Sequence, residues 1–297
     1  MVREGRISLQ VTAYVELHAW LATAARTGAE VDPALETARL AYARSLRDDD
    51  DDLLLERTAR ALSACADDHC SSTAVASEGF GHAYDRALPH FVARTWADRA
   101  SAAWVGLEAS RAVLGAIGPA ADAIFTRAAS DLGLTWPDHP VPISVVSEAP
   151  PVGRAALAPV ALSTRGRCFF RDRATGRGPD EGVDQARILD CLLVHALSAV
   201  QGEDAALAGP LHDTLVRELG PHDGERAWSL LIIHSAATIV TGWEPKHRSV
   251  HRRSAEAVEL SMLEWLAKEW RGARAEPLDA FAARYAARWR EVHPAKE

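Results

Sequence analysis

Apolar residues recur at intervals of three and four along most of this chain, the spacing that lines one face of a helix. In VELHAWLATAART the pattern runs from Val15 to Thr27 and stops at Gly28, a suitable helix C-cap. DPALETARLAYARSL opens with Asp32 as N-cap and Pro33 at the first helical position. LLLERTARALSACA follows the acidic run at residues 48–52, which we read as a solvated loop and helix start. The longest helical pattern extends from Pro89 to Leu132 and is expected to break near Gly118 and Pro119.

After WPDHP the period changes. VPISVVSE and APVALST are short β-branched or apolar runs bounded by proline and glycine, which predicts strands. RGRCFFRDRATGRGPDEG reads as a loop. Helical spacing then returns over 185–200, 211–219, 224–241, 254–271 and 277–291. The predicted class is α+β, predominantly helical, with a small central sheet and a pair of site-bearing helices. We place a mainly helical part at 1–135 and a core with the small sheet and helix pair at 136–297, the two packed as one unit.

The net charge of -8 lacks the basic footprint that nucleic acid requires, so no nucleic-acid partner is expected. No apolar run approaches the roughly 20 residues that span a bilayer, so a membrane partner is not expected either. The N-terminal text lacks the apolar core of a signal peptide, and the expected location is the cytoplasm. Alanine and arginine dominate over lysine, a compositional hint of a bacterial GC-rich genome. Four cysteines are too few for a disulfide scaffold in 297 residues. Cys65 and Cys70 in CADDHC would point to different faces of a continuous helix, and are kept as a candidate redox pair.

LLVHALSAVQG, residues 192–202, carries the main chemical question. HExxH places two histidines one helical turn apart on a zinc ion, with the glutamate as general base. Here the same frame reads His195, Ala196, Leu197, Ser198, Ala199. The surrounding segments are ISLQVTAYVELHAWLA, ARTWADRASAAWVGLEASRAVLGAIG, DLGLTWPDHPVPISVVSEAPP, ILDCLLVHALSAV and ERAWSLLIIHSAATIVTG. In order, spacing and helix–strand–helix character the chain resembles bacterial zincin-like metallopeptidases of the gluzincin type, HExxH followed by a glutamate on a later helix.

That resemblance implies a single surviving ligand position, His195. Ala196 would stand at the general base, Ala199 at the second histidine and Thr238 at the glutamate ligand. It implies a pseudo-peptidase that holds a peptide, small molecule or partner protein in the former cleft, with no cofactor expected.

A second reading is a repurposed enzyme of a specialised biosynthetic pathway. Cys191 precedes His195 by four residues and His234 precedes Thr238 by four, so each pair shares a helical face. Cys191, His195 and His234 would then form a zinc shell, an activated thiolate–imidazole pair or an acid–base set. A third reading is an ordinary buried helix, with Leu193, Leu197 and Ile233 filling the cleft. Arg165, Arg167, Arg171 and Arg173 are a candidate anion-binding cluster.

Overall fold

The computed structural model describes residues 2–46, 51–118, 120–147, 162–163, 181–203, 209–247, 249, 257–272 and 275–293. Among them lie twelve helices and a four-stranded sheet, so the protein is predominantly helical. The anion-binding candidates Arg165, Arg167, Arg171 and Arg173 fall outside the described residues. No helix among the described residues is long and apolar enough to cross a membrane.

The chain divides into two compact units. The first contains strands β1 (Val2–Glu4) and β2 (Ile7–Gln10) and helices α1 (Ala13–Thr27), α2 (Pro33–Ser45), α3 (Asp51–Ala64), α4 (Asp68–Ser77), α5 (Ala83–Arg94) and α6 (Trp96–Ile117). Strands β3 (Val141–Val146) and β4 (Leu162–Ser163) return to it from later in the chain. The sheet order is β1-β2-β3-β4, with β1 antiparallel to β2 and β3 parallel to β4. A parallel pair needs a crossover rather than a tight turn, which is why β3 and β4 are separated in sequence.

Local signals explain several helix ends here. Thr12 caps α1 by accepting from the Val15 amide, and Gly28 ends it in the left-handed region at φ 66°. Asp32 caps α2 by accepting from Ala34, with proline in the first turn. The core of this unit joins α1, α2, α3 and α5 through Leu17, Leu21, Tyr42, Leu62, Tyr84 and Phe91. Tyr42 stacks on Phe80 with ring centroids 4.1 Å apart. The predicted helix from Pro89 to Leu132 breaks twice, at Thr95 as well as at Gly118, where φ is 59°.

The second unit contains α7 (Ala120–Asp131), α8 (Glu181–Glu203), α9 (Pro210–Leu219), α10 (Pro221–Trp243), α11 (Ala257–Glu269) and α12 (Leu278–Val292). Its core collects large aromatics: Trp228, Phe281, Tyr285 and Trp289 are buried. Two aromatic polar groups of this unit are served locally. Tyr285 donates its hydroxyl to the Ala227 carbonyl at 2.8 Å, and the indole of Trp270 donates to Ser235 Oγ at 3.1 Å. α9 and α10 approach so closely at Gly224 that an added Cβ would lie 2.5 Å from the Val216 Cα.

Candidate functional site

Helix α8 carries His195 and packs within its unit against α10 and α7. Every residue from Leu189 to Val200 is buried. The reason is visible in ILDCLLVHALSAV, where apolar or small residues surround the helix instead of forming one stripe. His195 is wholly enclosed, Ala196 likewise, and Ala199 is 6% exposed. Leu193, Leu197 and Ile233 are also buried. The HALSA frame is therefore core along its whole length.

Cys191 is buried as well, and burial, reinforced by the neighbouring Asp190 carboxylate and opposed by Arg187, pushes its thiol well above the ordinary range. A thiol so held stays neutral and packs as a small apolar group. On α10, His234 is half-buried and Thr238 is exposed. Thr238 donates its hydroxyl back to the His234 carbonyl at 2.8 Å, and its oxygen lies 3.5 Å from His234 Nε2. Among the described residues no group of three or more His, Cys, Asp or Glu side chains is arranged to hold a metal ion.

A different polar cluster emerges one turn earlier on α8. Asp190, fully buried, accepts through Oδ2 from Ser249 Oγ at 2.6 Å and from His247 Nε2 at 3.1 Å. Oδ1 has no hydrogen-bond partner among the described residues. The carboxylate, and not the imidazole, stands at the centre, so the Ser249 proton points to Asp190 and the serine is not activated by His247. This arrangement pins the segment after α10 onto α8.

The sequence reading missed this cluster. Asp190 was legible as a lone carboxylate inside an apolar helical run, a position that demands partners. The partners, His247 and Ser249, lie more than fifty residues away in the sequence, so nothing near Asp190 announces them.

His212, on α9, lies 3.0 Å from Glu225 Oε1 on α10 and 3.3 Å from Asp213 Oδ1. Burial alone lowers its pKa; the bonds and charges of Glu225 and then Asp213 outweigh burial and raise it. The pair joins two helices and requires no ligand to explain it. Comparison with known proteins finds no matching family model, no matching curated protein and no matching solved structure.

Proposed function

We propose that this chain is a zincin-like pseudo-peptidase, a protein that keeps the helical frame of a zinc peptidase and acts by binding rather than by hydrolysis. One observation carries the reading: the helix at the HExxH position has Ala196 and Ala199 in place of base and ligand, and is enclosed around His195. Hydrolytic zinc needs an open coordination position for water or substrate, and an enclosed helix face offers none. The accessible remnant of the ancestral pair is the α10 face bearing His234 and Thr238. A peptide or small molecule bound there would meet an imidazole and a hydroxyl without a metal between them.

The test pairs elemental mass spectrometry of the untagged, chelator-free protein with peptide hydrolysis in added zinc. The expected result is no stoichiometric transition metal and no zinc-dependent cleavage. Near-stoichiometric zinc that disappears in His195→Ala would overturn the reading and restore a metalloenzyme.

A further inference from the structure

CADDHC belongs to the first unit and takes no part in the proposed binding. Helix α3 ends at Ala64 and α4 begins at Asp68, so the chain turns between them instead of continuing as one helix. The turn brings Cys65 and Cys70 to a Cα separation of 5.4 Å, and they form a disulfide. The expectation that they diverge on a single helix face is corrected by this break.

Three features bear on what the bond does. Cys70 is exposed and Cys65 half-buried, so the disulfide stands at the surface, within reach of an attacking thiolate. Only four residues lie between the cysteines, so the bond closes a short loop and adds less to the stability of the fold than a long-range disulfide would. The two carboxylates within the loop, Asp67 and Asp68, are both exposed. Asp67 accepts from the Cys70 amide at 2.8 Å and caps α4, while Asp68 accepts from the Tyr14 hydroxyl at 3.1 Å. These bonds keep negative charge beside the sulfurs.

We propose that Cys65–Cys70 is a thiol–disulfide exchange site for dithiols, selective for cationic or neutral reductants over anionic ones. A reductant thiolate attacks Cys70 Sγ, the Cys65–Cys70 bond breaks, and Cys65 leaves as a thiolate that takes a proton from water. The second thiol of the reductant, deprotonated, attacks its own sulfur in the mixed disulfide and releases Cys70. The dithiol loses two electrons to the protein pair and closes as its own disulfide. Asp67 and Asp68 repel an anionic thiolate reagent during the first step and attract one carrying an ammonium group.

The test uses the full-length protein equilibrated with oxidised glutathione, then treated natively with dithiothreitol, alkylated, and mapped by peptide mass. Cys65 and Cys70 should be blocked to alkylation before the dithiol and labelled together after it, while Cys191 stays unlabelled until denaturation. In Cys65→Ser the mixed disulfide with glutathione at Cys70 should persist, because the resolving thiol is missing. Reduction rates, taken per thiolate, should fall from cysteamine to mercaptoethanol to glutathione by about threefold per unit of charge at low salt, and converge at high salt. Free Cys65 and Cys70 after oxidation would overturn the site, as would a pair that resists native reduction. Equal rates for the three monothiols would overturn the selectivity.

Discussion

His18 is buried with both ring nitrogens engaged, Nδ1 with the Tyr42 hydroxyl at 2.8 Å and Nε2 with the Leu55 carbonyl at 3.2 Å. A carbonyl only accepts, so Nε2 carries the proton and Nδ1 accepts from Tyr42. Burial lowers the pKa from 6.5 to about 4, against a smaller opposing effect of the Leu55 bond. Between those values the unfolded chain binds a proton that the folded chain refuses. Stability therefore falls as pH falls through that window, by roughly 3 kcal/mol in total. Urea titrations across the window should show this slope, and a His18→Asn variant should lack it.

Glu16, on the same helix, is equally enclosed. It accepts from the Ser147 amide at 2.7 Å, from the Ser147 hydroxyl, and from Arg99 Nε at 2.5 Å. Glu16→Gln keeps the shape and removes the charge, so it should destabilise by about 2 kcal/mol, read as a lowered urea midpoint with unchanged slope. The sequence showed both residues on a helix with apolar neighbours. Their burial was not legible there, because Tyr42, Leu55, Arg99 and Ser147 reach them from distant segments.

At the scale of elements, the α9–α10 hairpin is set by a close approach and by one ionisable bridge. A Cβ at Gly224 would meet the backbone of Val216, which cannot turn aside as a side-chain tip can. Gly224→Ala should push the helices apart and cost about 2 kcal/mol. Gly242, also on α10, has nothing within 4 Å of an added Cβ, so Gly242→Ala should be neutral or stabilise by up to about 1 kcal/mol through helix propensity. Thermal melts of the two variants side by side check the contrast.

The His212–Glu225 bridge has the opposite pH sign from His18. Its pKa is raised, so its stabilisation is fully present below pH 6.5 and is lost as pH rises through the folded value. Glu225→Gln should remove that dependence, and a proton NMR titration of His212 should move toward its ordinary value. The periodic text placed both helices to within three residues of their ends. The glycine contact was not visible in it, because Gly224 matters through the backbone of another helix. Likewise α4 went unread, since DHCSSTAVAS lacks a strong apolar stripe.

For the whole molecule, the proposed pseudo-peptidase reading predicts that excess zinc leaves the melting temperature unchanged. A site binding only the folded state would raise it with concentration. A zinc-dependent rise abolished by His195→Ala would contradict this expectation.

The linear pattern of apolar residues by itself determined that the protein is mostly helical, where the main helices run and that β3 and β4 fall in the middle of the chain; the strands β1 and β2 at residues 2–10 lay outside that expectation. These are local properties: spacing, caps and turn residues act within a few positions. It also showed that the residues after His195 are Ala196 and Ala199 where an HExxH frame would carry glutamate and histidine, since residue identity is legible wherever a segment folds. Only the tertiary structure decided that β3 returns to the sheet of the first unit, that Cys65 meets Cys70, and that Asp190 is answered by His247 and Ser249. Those outcomes depend on which buried polar groups find partners across long loops. A carboxylate in an apolar helix announces the need for a partner, and only the folded chain supplies it.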